Sequence, residues 1–182
     1  VPSAIAESVH VALVESQRLG FLGERPIDEV IEHARAFVGA LDEVTGTVVD
    51  LGAGGGIPGL VIAHDRPDLH LTLVDRRRKR TDFLERVVRR LRWSGRVAVI
   101  AADVEAVIAT DSTFDAAVAR GFGPPDTTLR AAARLVRPAG RIVISEPPSG
   151  DRWDQETFAE LGICRIETPD TRVVRFDRDG FT

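Results

Sequence analysis

The chain is 182 residues long and 43% apolar, with 24 basic and 28 acidic side chains and a net charge of −4. These figures fit one domain with a sizeable core and exclude an overall charge suited to tight, nonspecific nucleic-acid binding. The lone cysteine, Cys164, excludes an intramolecular disulfide framework and a thiolate metal cluster and points to a reducing cytoplasm. No run of about 20 apolar residues suggests a membrane span, and no charged-then-apolar leader is evident.

Residues 1–44 read as a helical extension. Ile5, Val9, Ala12 and Leu13 carry one helical pattern, and Ile27, Val30, Ile31, Ala34, Phe37, Val38 and Leu41 carry the 3.6-residue stripe of a second. Pro26 suits the first turn of that second helix, and Gly20 and Gly23 punctuate the link before it. Strands and helices then alternate through residues 45–182, with strands expected at 47–51, 69–74, 97–101, 114–119 and 141–145. Short apolar strands separated by helices imply βαβ units, hence an α/β, doubly wound, Rossmann-like fold. A helix is expected over 153–161, followed by strands at 164–167 and 172–176. The link Thr168-Pro169-Asp170 is too short for a parallel crossover, so the last two strands should form an antiparallel hairpin.

The stretch from Val48 to Gly59, VVDLGAGGGIPG, joins an apolar strand to a glycine-rich turn and reads as a cofactor site. Two frames compete. Gly54, Gly56 and Gly59 spell the dinucleotide pattern G-x-G-x-x-G, while Asp50, Gly52, Gly54 and Gly56 spell D-x-G-x-G-x-G. The second begins at the strand exit. An acid there is awkward beside a pyrophosphate but suits a cation, such as the sulfonium and α-amino groups of S-adenosylmethionine. Asp75, at the end of the second strand, stands where an acid reaches ribose hydroxyls; capping of the next helix is the alternative. Asp103, with Val104 and Glu105, follows the third strand, where it either accepts from an adenine amino group or caps a helix. Arg120 follows the fourth strand in a Gly- and Pro-rich loop at the carboxyl edge, with ion pairs to Asp115 or Asp126 as the structural alternative.

The helix after Asp75 should bury Phe83, Leu84, Val87, Val88 and Leu91 and expose Lys79, Arg80, Arg86, Arg89 and Arg90. That face suits either solvent or phosphates. His10, His33, His64 and His70 have no metal-ligand spacing and accompany no nucleophile motif.

These residues together resemble the bacterial small-subunit ribosomal RNA guanine-N7 methyltransferases called glucose-inhibited division protein B. The likeness rests on Asp50 to Gly59 with its trailing Pro58-Gly59, on Val74-Asp75 with Lys79-Arg80 and Phe83-Leu84, on Asp103-Val104-Glu105, and on Phe114-Asp115 leading to Ala119-Arg120. The resemblance implies a single methyltransferase domain over 1–182, with S-adenosylmethionine as cofactor, ribosomal RNA or another methyl acceptor as partner, and no metal. It also implies that Gly52 and Ile57 line the methionine side, that Asp75 holds the ribose, that Val104 and Glu105 flank the adenine, and that Arg120 stands near the reacting centre. The chain departs from the family pattern at Gly121 after Arg120, where Ala is usual. It departs again at Ser145-Glu146-Pro147-Pro148, where a Lys-Gly pair is usual, so that an anion is expected beside the RNA path. In the helical extension His33 keeps a family position without the Asp-Ser that normally follows. A nicotinamide-dependent oxidoreductase using the other glycine frame, a methyltransferase of small molecules and a non-catalytic homologue stand as alternatives. The chain has no Tyr to serve the first of these as hydride-transfer acid.

Overall fold

A computed structural model describes residues 7–147 and 152–180. The first apolar pattern forms α1 (Glu7–Arg18), and Ile5, expected in it, lies outside the described residues. The second forms α2 (Ile27–Ala40). Pro26 stands just ahead of it as the N-cap, its ψ of 135° extended, rather than inside the first turn. The alternation that follows runs β1 (Thr47–Leu51), α3 (Gly59–Asp65), β2 (His70–Asp75), α4 (Arg78–Arg90), β3 (Val97–Ala101), α5 (Val104–Ile108), β4 (Phe114–Ala119), α6 (Pro125–Leu135) and β5 (Val136–Ser145). It ends with α7 (Gln155–Leu161), β6 (Ile163–Ile166) and β7 (Val173–Arg178). β5 begins at Val136, earlier than its apolar run implies. Pro138 and Gly140 read as breakers, yet a shift in register between Phe114 and Ala116 of β4 accommodates them.

All seven strands share one sheet in the order β3-β2-β1-β4-β5-β7-β6. The first five are parallel, and β7 runs antiparallel to both β5 and β6, so the expected hairpin forms with its second strand against the sheet. Chain order reverses at β1 and β4, and at such a switch point a crevice opens beyond the carboxyl ends of the strands.

Strand alternation decides what faces that crevice. In β1, Val48 packs with the α1–α4 layer and Val49 and Leu51 with the α5–α7 layer. By the same period of two, Asp50 falls on the α1–α4 side. β2 behaves likewise, Leu71 and Leu73 on that side and Val74 on the other, so Asp75 also falls there. In β4, Ala116 and Val118 face the α1–α4 layer and Ala119 the opposite one, which aims the next position, Arg120, toward the two acids. The layer includes the helical extension: Val9, Leu13 and Phe37 share a buried cluster with Leu60, Phe83 and Val118. Helix α4 contributes Phe83, Leu84, Val87 and Val88, each buried and worth roughly 1.5–3 kcal/mol.

Candidate functional site

At the carboxyl edge a cavity of about 310 Å³ is bordered by Gly52, Asp75, Asp103 and Val104, four of the residues singled out from the sequence. Arg80, of the Lys79-Arg80 pair in the resemblance, is also in its wall, together with Arg76, Arg77, Phe122 and Thr127, which had no signal of their own beyond their nearness to Asp75 and Arg120. Gly52 has φ +70°, and a Cβ placed on it would come 2.9 Å from the Phe122 ring, so the close approach of turn and wall depends on glycine there.

Two carboxylates fasten the turn from below. Asp75 Oδ2 accepts the Gly54 N–H at 2.9 Å and Oδ1 accepts the Arg77 N–H at 2.8 Å, while Arg80 lies 3.6 Å from Oδ2. The side chain therefore ties the glycine turn to the approach to α4 instead of capping the helix. Arg80, expected among the exposed cations, is turned back toward this acid. Asp50 is fully buried; its Oδ2 accepts the Gly59 N–H at 3.0 Å, and its Oδ1 has no hydrogen-bond partner. Burial pushes the Asp50 carboxyl up to about 7 against the pull of the Gly59 N–H. The charge of Asp75 adds to the rise and that of Arg120 opposes it.

A third fastening comes from the helical extension. The buried Ser16 Oγ donates to Gly55 O at 2.8 Å, and a Cβ on Gly55 would meet that oxygen at 2.5 Å and Leu22 Cδ2 at 2.7 Å. The extension is thus a wall of the turn, a role that its apolar periodicity does not announce.

The other predicted residues are placed differently. Gly54 and Gly56 have φ of +55° and +100° inside the turn, and Ile57 is buried in the α1–α4 layer ahead of a cis bond to Pro58. Asp103 caps α5 by accepting from the Glu105 N–H at 3.4 Å, and it also borders the cavity. The Glu105 side chain is exposed and paired with Arg134 at 3.2 Å, away from the cavity wall. Among the described residues no group of three or more His, Cys, Asp or Glu is disposed to hold a metal, and no helix is long and apolar enough to cross a membrane.

Neither structural alternative for Arg120 forms. Asp115 binds Arg137 at 2.5 Å, and Asp126 binds Arg130 at 3.0 Å. Arg120 takes part in no hydrogen bond or ion pair among the described residues. Burial and then the charge of Arg25 hold its guanidinium below the usual value, while Asp50 opposes them. Near it lies His33 of α2, whose Nε2 is buried without a partner. Burial, followed by Arg120, Arg172 and Arg25, holds that imidazole below its ordinary value, against the opposing Asp170. Arg25 is set by its own loop, where Gln17 Nε2 donates to Gly23 O at 2.6 Å and Arg25 O at 2.8 Å. Arg25 gave no signal in the sequence.

Glu146 does not lie as an open anion beside this group. Its Oε1 accepts from Arg152 Nε at 3.1 Å, its Oε2 accepts from Trp153 Nε1, and its side chain is 10% exposed. Arg152, stacked 5.0 Å from the Trp153 ring centroid, cancels its charge. The sequence offered no sign of this pairing, because the cation lies six residues downstream in a loop without a pattern. Pro148, the last residue of that departure, lies outside the described residues.

The sheet order, the antiparallel β7 and the acid-flanked glycine turn are those of the class I methyltransferases. Among solved structures, a methyltransferase from Thiobacillus denitrificans in complex with S-adenosylhomocysteine superposes with a TM-score of 0.59 at 23% identity, covering 75% of this chain and 65% of that one. The model of the rRNA small subunit methyltransferase G family matches residues 6–152, and the chain belongs to that family. Its relatives include Ribosomal RNA small subunit methyltransferase G of Mycolicibacterium smegmatis, 31% identical over 86% of this chain and 67% of the relative. The protein of the same name from a Nocardioides strain is 43% identical over 53% of this chain and 38% of the relative. The chain spans 38–57% of the length of the first curated relatives it matches.

Proposed function

We propose that this chain is a cytoplasmic S-adenosylmethionine-dependent methyltransferase acting on guanine N7 of small-subunit ribosomal RNA. The observation that carries the reading is the pair of carboxylates beneath the glycine turn, one of them with a buried, unpartnered oxygen, beside a cavity at the strand switch point.

The residues fit the cofactor. The volume suits a nucleoside, and the glycines let the backbone approach it closely. Each Asp75 oxygen keeps a lone pair beyond its backbone bond, enough to accept from ribose hydroxyls. Asp103 and Val104 border the place assigned to the adenine, with Glu105 at most a backbone contributor, and Gly52, Gly54, Gly56 and Ile57 shape the methionine side. S-adenosylmethionine, when bound, supplies an electrophilic methyl group on a sulfonium. Asp50, ionised in the presence of that cation, balances its charge from below the turn. Arg120 and the neutral His33 stand on the acceptor side, where they would orient a purine edge by hydrogen bonds. Guanine N7 presents a lone pair and loses no proton when it is alkylated, so positioning and electrostatics suffice and no general base is required.

Calorimetry with S-adenosylhomocysteine and NADH side by side tests the cofactor, and NADH binding without S-adenosylhomocysteine binding would refute it. Transfer of labelled methyl groups to small-subunit ribosomal RNA, followed by mapping of the modified base, tests the acceptor. Label that appears only in small molecules would refute that half.

A further inference from the structure

The charge of this chain is segregated. Ten of its 24 basic residues but two of its 28 acidic ones fall within residues 76–96, a local excess of eight positive charges in a chain whose net charge is −4. Everything outside that segment is strongly acidic. We propose that the face of α4 and its flanking turns is the docking surface for the phosphate backbone of a structured RNA, leading into the cavity mouth. The proposal rests on the methyltransferase reading for the kind of RNA, though not for the existence of the surface.

The segment is built as an outward-facing cation array. Arg76, Arg77, Arg78, Lys79, Arg86, Arg89, Arg90 and Arg92 are exposed, while the apolar stripe of α4 anchors the helix to the sheet. Little of this charge is cancelled within the protein. The two acids of the segment are Asp82, 3.5 Å from Arg78, and Glu85, while Arg90 reaches Glu15 at 3.1 Å. Arg76, Arg77, Lys79, Arg89 and Arg92 join no hydrogen bond or ion pair by their side chains among the described residues. Lys79, Arg86 and Arg90 recur at intervals of seven and four, which puts them on one side of the helix along about 16 Å of its length. The array is continuous with the site, because Arg76, Arg77 and Arg80 border the cavity next to Gly52 and Asp75. The unpaired cations among these attract a polyanion and confine it to one side of the molecule, while the net charge of −4 disfavours acidic proteins. Arg is also the side chain whose planar fork matches phosphate.

The test measures binding of a small-subunit ribosomal RNA transcript to the full chain by anisotropy across a salt series. Arg86→Glu/Arg89→Glu, away from the cavity wall, should weaken binding at least tenfold and lower the salt slope by about 1.5, the share of two phosphate contacts. Arg86→Gln/Arg89→Gln should fall between this variant and the wild type, and Arg165→Glu on the far edge strand β6, set against single Arg86→Glu with the same change of net charge, controls for net charge. S-adenosylhomocysteine binding by each variant reports folding and should not change. Equal RNA binding by the wild type and the double charge reversal, or an equal loss with Arg165→Glu, overturns the surface. So does tighter, Arg86- and Arg89-dependent binding to phosphatidylserine vesicles than to RNA. Methyl transfer is read separately. A wild type that methylates RNA while the variants bind it undiminished refutes the surface alone. A wild type that transfers no methyl group, yet loses RNA through these substitutions, refutes only the reaction.

Discussion

The two sides of the carboxyl edge are built on different principles. On the β1–β2 side, polar groups are spent on backbone: Asp75 on Gly54 and Arg77, half of Asp50 on Gly59, Ser16 on Gly55. On the β4–α2 side, Arg120 and His33 Nε2 have no hydrogen bond, and charges of like sign face one another. The first arrangement fixes a shape in advance. The second holds unfavourable charge in place, which a folded protein tolerates where function rather than stability sets the residue.

The largest test of this contrast is a pH profile. The Asp50 carboxyl is pushed up to about 7 in the folded chain from an ordinary value near 3.8. The unfolded chain therefore releases this proton first, and the contribution of Asp50 to stability is intact below about pH 4 and declines as pH rises to 7. Over that window the loss reaches up to about 4 kcal/mol. Asp50→Asn abolishes the titration, so urea denaturation at pH 4.5 and pH 8 should show the wild type losing stability relative to the variant. A constant difference between the two would dispose of the buried-acid account.

Next in size is Gly59→Ala. Its Cβ would press on Leu73 Cδ2 and lie 2.6 Å from Asp50 Oδ2, at a cost of about 3 kcal/mol and with weakened S-adenosylhomocysteine binding, by chemical denaturation and calorimetry. Arg120→Ala should do the reverse. Methyl transfer should fall about a hundredfold, while the melting temperature holds or rises because a part-buried, unpaired cation is gone. If stability and activity fall together, Arg120 is structural and the contrast between the two sides collapses. The smallest expected effect is that of Glu146→Gln. Loss of the charge opposite Arg152 should cost about 1 kcal/mol, with RNA affinity changed less than twofold. A marked gain in RNA affinity would mean that the anion does act on the acceptor path.

The same contrast explains what could be read in advance. The order of elements, the antiparallel end and the glycine turn follow from local patterns: apolar runs, a three-residue link, an acid before Gly52. Asp75 and Asp103 were legible because strand ends fall at one edge of a parallel sheet. Arg25, Phe122 and the pairing of Glu146 with Arg152 were not, since each depends on which loop meets which across the crevice. Glu105 illustrates the limit within the motif, because two residues beyond the cap the helix has already turned its side chain toward α6 and Arg134. The basic run of α4 was visible from the start, and its importance emerges only once Arg76, Arg77 and Arg80 are seen at the cavity mouth.

The Ser16–Gly55 hydrogen bond joins positions 39 residues apart, with the whole of α2 and β1 in the chain between them. Undocking α1 must strip the glycine turn of one of its three fastenings, and loosening the turn must expose a buried hydroxyl. The amides of Gly54, Gly56 and α1 should therefore exchange with deuterium as one cooperative unit, and a ligand seated on the turn should slow exchange in a helix that it never touches.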